Sequence, residues 1–409
     1  MEKIQNQKHT RETLYYAISR MLERASYYGF RALIFLYMVG ETFKMEATEA
    51  LGIYAWLTAS VVLSQIIGGV FGDLLIGNRK AVIFGGIIQA IGAFSLCIPS
   101  TIGLYLGLFL VSIGSGFFTP NIISNFGKSY LNKTKLLDSG FTIFYLAINI
   151  GSFLGILLIG YLGETFGYSI GFIMSGILML LSIVPIVILK EKTQNNIEIN
   201  KVSIGKRILN ISIALLVVAI FWGTYEISQI RILNLQLEFR EISALDISKS
   251  MWQSIGSIFT LTISLAAIVL WTYFYSSQFF KLILGCIFGV ISLGILFLIP
   301  EIPTEHHAIT YLVSLFFLGI SEIHIAPIIH SILTKYSNPK YLAILISLAF
   351  LPTSLIYLLF GLFNDRIFDN PILGLKIGII LMIIVGIGLI GYVWWNKKVS
   401  HYIARNHNT

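Results

Sequence analysis

Runs of mostly apolar residues long enough to span a membrane recur twelve times along this 409-residue chain, and no other feature limits its architecture as severely. A helix needs about 20 such residues to cross the hydrocarbon core of a bilayer, where every backbone N–H and C=O must be satisfied within the segment. The cores of the runs are 15–40, 51–71, 80–99, 102–125, 140–162, 167–189, 209–235, 251–273, 277–299, 308–334, 341–363 and 371–395. Only 12% of the residues are charged, against roughly 25% in a soluble domain. The reading is an all-α polytopic membrane protein, with no room left for a soluble domain.

The longest non-apolar segment, Lys190 to Arg207, has six runs on each side. The expected organisation is a tail over 1–14, a six-helix bundle over 15–189, a linker over 190–208, a second six-helix bundle over 209–396 and a tail over 397–409. Residues 1–14 lack a cleavage-site pattern, so the first span is expected to be retained. Nineteen Lys and Arg, Lys281 among them, fall in the N-terminus and alternate loops, whereas five fall in the opposite loops. By the positive-inside rule both termini are cytoplasmic. The net charge of +8 follows from that topology, and no nucleic-acid footprint is needed to explain it.

Cys97 and Cys286 lie in or beside apolar runs and are too few for a disulfide framework. An enzyme would need a nucleophile–base pair or a metal-ligand constellation. Only His324 and His330 lie in a span, without a second ligand at metal-binding spacing. No catalytic residue, metal or cofactor is expected.

Seven charges are not explained by topology. Arg20, Glu23, Arg24 and Arg31 lie in the first span, Glu226 and Arg231 in the seventh, and Glu322 in the tenth. A charge at the bilayer centre costs about 2.5–3.5 kcal/mol, so it persists where it pairs or lines a watery cavity. Arg24, Tyr27, Tyr28 and Arg31 stand at i, i+3, i+4 and i+7 and share one helical face, with Glu23 beside it. Arg20 alone could be a cytoplasm-seeking basic residue; Arg31 lies too deep for that reading. Each glutamate could also belong to a structural ion pair. Arg231 could snorkel toward the outer interface or pair with an acid in the pore. His324 is about 200° around the helix from Glu322, and is either a packed neutral histidine or a proton relay.

Several stretches carry a family resemblance. Gly72-Asp73-Leu74-Leu75-Ile76-Gly77-Asn78-Arg79-Lys80 reads as a tight cytoplasmic loop, in which Gly77 suits a turn of positive φ. It resembles the loop between the second and third spans of the major facilitator superfamily, where the acid pairs with a neighbouring helix. Glu23-Arg24, Tyr27-Tyr28-Gly29 and Arg31 resemble the first span of the proton-coupled oligopeptide transporter family. Phe141, Phe144, Tyr145, Ile148, Asn149, Gly151 and Ser152 match that family's fifth-span signature. Gly151 and Gly155 also form a small-x-x-x-small pair that admits another helix. Thr119-Pro120-Asn121 is similar to the fourth-span Lys-Pro-Asn segment, with Pro120 placed to kink the helix. Phe221-Trp222 before Glu226, and Glu322 before Pro327, resemble the seventh-span and tenth-span segments.

The resemblance implies a major facilitator fold of twelve helices in two six-helix halves, moving di- and tripeptides with protons by alternating access. Arg31 would attract the peptide carboxylate and Glu322 its ammonium, while Tyr27, Tyr28 and Asn149 would bond to or pack against its backbone. Glu23 and Arg24 would form a local coupling pair, and Glu226 would carry the coupling proton. Asp73 and Arg79 would belong to the conformational loop. A monomer in a bacterial inner membrane is expected, with small peptides, protons and lipid as its partners.

The chain departs from the pattern at four positions. Arg20 stands where the family has a glutamate, Thr119 where it has a lysine, Gly256 where it has an asparagine and Ala349 near its eleventh-span tryptophan. Two other readings remain: a facilitator for another small organic or inorganic anion, and a membrane sensor that does not transport.

Overall fold

The computed structural model describes residues 2–3, 8–189, 202–242, 249–351 and 370–406. It contains helices α1 (Arg11–Val39), α2 (Ala47–Phe71), α3 (Asn78–Ser95), α4 (Thr101–Lys128), α5 (Leu137–Phe166) and α6 (Tyr168–Ile188). These are followed by α7 (Ile204–Ile242), α8 (Lys249–Tyr273), α9 (Gln278–Leu296), α10 (His307–Tyr336), α11 (Pro339–Leu351) and α12 (Pro371–Asn406). Each expected span coincides with a helix; residues 352–363 of the eleventh, and most of the expected linker, lie outside the described residues. A two-residue antiparallel ribbon pairs Glu2–Lys3 with Phe274–Tyr275.

Among the described residues, eight helical segments are long and apolar enough to cross a membrane. α1 is not one of them, because Arg20, Glu23, Arg24 and Arg31 interrupt it. Large apolar side chains such as Trp56, Ile102, Phe109, Leu158 and Tyr161 stand exposed on the helices, as they must where the surroundings are lipid.

The chain divides into two compact units. One comprises Asn6–Ile211 with Leu333–Ser354, the other Met1–Gln5, Ser212–Ile332 and Leu355–Thr409. In the first, α1 packs on α5 and α6, and α4 packs on α2 and α3. Its core gathers Phe30, Leu33, Ile34, Tyr37 and Met38 of α1 with Leu57, Leu104, Val111, Ile159 and Phe172. In the second, α9 packs on α12, and a core forms around Leu235, Phe239, Leu293, Leu296, Tyr311 and Leu375.

The contact between α1 and α5 explains the small-residue pair. A Cβ added at Gly151 would meet the Met21 backbone, and one added at Gly155 would meet the Ala25 backbone. Without side chains at these points the two helices lie backbone to backbone, with van der Waals packing replacing the hydrophobic drive that lipid cannot supply. α4 runs through Pro120 as one helix from Thr101 to Lys128.

The corner between α2 and α3 is tighter than a loop. Gly72–Ile76 continues α2 as a single π-helical turn, Gly77 reverses the chain at φ 84°, and Asn78 already belongs to α3. The positive φ expected of Gly77 is found; the loop is reduced to that one residue. A second such corner, Gly167 at φ 102° between α5 and α6, was not foreseen.

Candidate functional site

The buried face of α1 is built around one carboxylate. Glu23 is fully buried and receives Arg20 Nη1 on Oε2 at 2.9 Å, Arg24 Nε on Oε2 at 2.7 Å, and Arg24 Nη2 on Oε1. The Thr119 hydroxyl of α4 accepts from Arg20 Nη1 at 3.1 Å and from Arg24 Nη2 at 3.4 Å. Arg20 is itself 4% exposed, so it does not extend to the cytoplasmic surface. Charges this deep are tolerated only when paired and hydrogen-bonded.

One to two turns further along, the same face becomes aromatic. The Arg24 guanidinium lies 4.6 Å from the Tyr27 ring centre, and the Arg31 guanidinium 5.8 Å from the same ring. Arg31 Nε donates to the Tyr54 hydroxyl of α2 at 2.8 Å, and its guanidinium sits 4.9 Å from that ring. Tyr28 meets Tyr27 edge-on at 5.7 Å. Arg31 is half-buried and, among the described residues, meets no carboxylate. Tyr54 was missed in the sequence because nothing in α1 indicates which helix faces it. Asn149 is half-buried on α5, and its Nδ2 is enclosed without a hydrogen-bond partner. Glu23, Arg24, Tyr27, Tyr28 and Arg31 are thus brought together, while no hydrogen bond joins Asn149 to them among the described residues.

Asp73 and Arg79 lie away from this face. Asp73 Oδ1 accepts from Asn78 Nδ2 at 2.9 Å and lies 3.6 Å from Lys128 Nζ, while Oδ2 accepts from Ile344 N at 2.9 Å. Asp73 therefore caps the N-terminal turn of α11, where free N–H groups and the helix dipole favour an anion. Asn78 and Asn121 extend the network: Asn78 Nδ2 donates to Asn121 Oδ1 at 2.7 Å, and Lys128 Nζ to Asn78 Oδ1 at 2.6 Å. Arg79 Nε and Nη2 donate to the carbonyls of Ile186 and Val187, closing the C-terminal end of α6. Lys128 and Asn78 had no assigned role in the sequence.

Ahead of α1, His9 Nδ1 and the Tyr130 hydroxyl lie 2.7 Å apart, and the same hydroxyl is 2.6 Å from Thr13 Oγ1. Ser139 Oγ is 3.3 Å from His9 Nε2. Burial, then the nearby charge of Lys133, hold the His9 imidazole below its ordinary pKa.

In the other unit, Glu226 lies exposed on α7 beside the aromatic group Phe221, Trp222 and Tyr225. Glu322 is half-buried on α10 and accepts from the Thr260 hydroxyl at 3.4 Å. Arg231 donates from Nη2 to the carbonyls of Ile299 and Pro300 at 3.3 and 2.7 Å, and its Nη1 lies 3.9 Å from Glu238. Arg231 thus reaches the carbonyls that follow α9 and an acid, Glu238, that lies beyond the core of the seventh span. His324 Nδ1 lies 2.8 Å from the Ile320 carbonyl, with its ring edge-on to Trp271 at 5.3 Å.

Lys281 corrects the loop count. It is 2% exposed in the first turn of α9, its ammonium 4.3 Å from the Trp271 ring centre. In the sequence it counts with the loop charges because it stands near the start of an apolar run; eighteen loop charges against five leave the expected orientation as it was.

The sequence profile of the Major Facilitator Superfamily matches residues 16–402. The uncharacterized transporter YclF of Bacillus subtilis (strain 168) is 36% identical over 178 residues, 42% of this chain and 36% of that protein. The di-/tripeptide transporter of Lactococcus lactis subsp. lactis (strain IL1403) is 34% identical over 168 residues, 39% of this chain and 34% of that protein. The matched region thus spans about a third of the length of these curated relatives. A crystal structure of a POT family transporter in complex with a thioalcohol-conjugated peptide superposes with a TM-score of 0.64 at 19% identity, covering 92% of this chain and 96% of that one. That likeness establishes the all-α, polytopic major facilitator fold. The chain belongs to the Major Facilitator Superfamily, within which it is similar in sequence to a protein named a di-/tripeptide transporter and in fold to a POT family transporter.

Proposed function

We propose that this protein is a proton-coupled symporter that imports di- or tripeptides, or peptide-like zwitterions, by alternating access. The observation that carries the reading is Arg31: a half-exposed guanidinium, oriented by the Tyr54 hydroxyl and flanked by the Tyr27 and Tyr54 rings, without a carboxylate of its own among the described residues. Such a group is positioned to receive a peptide's terminal carboxylate in a charge-assisted, bidentate hydrogen bond. Asn149 Nδ2, enclosed and unpartnered, supplies a donor for a peptide carbonyl. Glu322 attracts the ammonium, Tyr27 and Tyr28 pack against the backbone, Glu226 takes up and releases the coupling proton, and Glu23 and Arg24 form the local coupling pair. Asp73 and Arg79 hold the cytoplasmic corner through the cycle.

In this reading the protein sits as a monomer in a bacterial inner membrane with both termini in the cytoplasm, its coupling ion is the proton, and it needs no cofactor or metal. The names of its bacterial relatives support the substrate class. Uptake of dialanine into proteoliposomes under an imposed inward proton gradient tests the whole reading. Arg31→Ala is expected to abolish it. Glu226→Gln is expected to remove the gradient dependence, and gradient-driven uptake unchanged in that variant would contradict the proton role.

A further inference from the structure

The cluster on α1 carries more positive charge than its surroundings neutralise. Arg24 engages both oxygens of Glu23, whereas Arg20 reaches only Oε2 and then turns to the uncharged Thr119 hydroxyl. Arg20 Nε is buried with no hydrogen-bond partner. Two guanidiniums on one carboxylate leave a surplus of one positive charge, and Arg31 adds another that meets no acid among the described residues. Within the cores of the first six spans the sequence offers three arginines and one acid, Glu23. In a poorly screened interior such a surplus is felt strongly by any ligand that approaches it.

We propose that the surplus on Arg20–Glu23–Arg24 makes this transporter selective for peptides that carry a second carboxylate beside the C-terminal one, such as dipeptides ending in Glu or Asp. This rests on the peptide reading above. The geometry places the second negative group: the guanidiniums of Arg24 and Arg31 flank one ring, that of Tyr27, at 4.6 and 5.8 Å. A C-terminal glutamate holds its two carboxylates a few bonds apart, which suits two cationic centres separated by one aromatic side chain. A terminal carboxylate at Arg31 thus brings the side-chain carboxylate to the Arg24 end of the ring. Arg20 is a positioning residue here: it shares Glu23 with Arg24, so that Glu23 does not neutralise Arg24 alone.

The test compares Ala-Glu with Ala-Gln, which differ in one charge and hardly in shape, by equilibrium binding to the purified full chain. The native protein is expected to bind Ala-Glu about tenfold more tightly, a difference of about 1.4 kcal/mol. In Arg20→Gln the ratio is expected to fall to about one, and in Arg20→Lys, which keeps the charge, to persist. The doubly substituted Arg20→Glu/Thr119→Lys protein, whose cluster carries no surplus, is expected to lose the preference as Arg20→Gln does, and it reads the same ratio if Arg20→Gln does not fold. Equal affinities in the native protein, with both peptides bound, overturn the selectivity and leave peptide transport standing. A preference undiminished once the surplus is removed also overturns it. Binding of neither peptide overturns the peptide reading itself.

Discussion

Arg20 on α1 donates to the Thr119 hydroxyl on α4 across 3.1 Å. These are two of the four positions at which the sequence departs from its family resemblance, one where an arginine replaces a glutamate and one where a threonine replaces a lysine. In space they are a single change. The cation that the resemblance assigns to the fourth span is supplied from the first, and it arrives at the hydroxyl that stands in the lysine's place.

The pair should therefore be energetically coupled. Arg20→Glu alone places a second carboxylate beside Glu23 with only Arg24 to neutralise both, and is expected to lower thermal stability. Adding Thr119→Lys is expected to recover most of the loss. Residues in one ion network couple by about 0.5–3 kcal/mol, and a double-mutant cycle on unfolding midpoints in detergent measures it. Strict additivity would show that the two side chains do not interact.

The backbone contact of α1 with α5 leaves no room at Gly155. Gly155→Val must push against the Ala25 backbone, which cannot yield as a side chain can. Overpacking of this kind costs about 1–3 kcal/mol, and a lower unfolding midpoint with reduced yield of folded protein is the expected result. Gly205→Val, where nothing lies within 4 Å, is the control and is expected to behave as the native protein.

At the α2–α3 corner, Asp73→Asn keeps an acceptor for Ile344 N but loses the charge that faces Lys128, whereas Asp73→Ala loses both. Leaving a buried donor unsatisfied costs about 1–3 kcal/mol. The alanine variant is expected to be the less stable of the two, with more rapid hydrogen exchange at the Ile344 amide. Equal exchange in the two variants would show that the cap is not made.

His9 gives the fold a pH dependence of definite sign. Its pKa is lowered in the folded state by burial and by Lys133, so folding favours the neutral ring. The stability this contributes is complete above the unfolded value of about 6.5 and is lost as pH falls below it, until the folded group too is protonated. Unfolding midpoints at pH 7.5 and 5.5 are expected to differ more in the native protein than in His9→Gln. Identical differences would remove His9 as the cause.

The extent to which the sequence reveals this molecule follows the range of the forces involved. Span positions are set by local hydropathy, and the helices coincide with them. The shared face of Arg24, Tyr27, Tyr28 and Arg31 follows from helical period alone, and Gly77 from the steric cost of positive φ. What depended on which helix lies opposite was not visible: the Tyr54 hydroxyl that orients Arg31, the Thr119 hydroxyl that receives Arg20, and the amide of Ile344 that meets Asp73. Lys281 shows the same limit. A lysine at the start of an apolar run reads as a loop charge until Trp271, from the preceding helix, is seen to cover it.

The bond from Ile344 N to Asp73 Oδ2 closes a separation of 271 residues within one compact unit. During synthesis Asp73 is in place long before the segment that completes its surroundings has been translated. Until then, among the described residues, Lys128 and Asn78 engage the carboxylate, and the first unit remains a bundle awaiting one of its members. A ribosome-stalled chain ending before α11 should hold its six N-terminal helices in place while leaving the Asp73 corner open to solvent, so that this unit reaches its final form only once α11 has been translated.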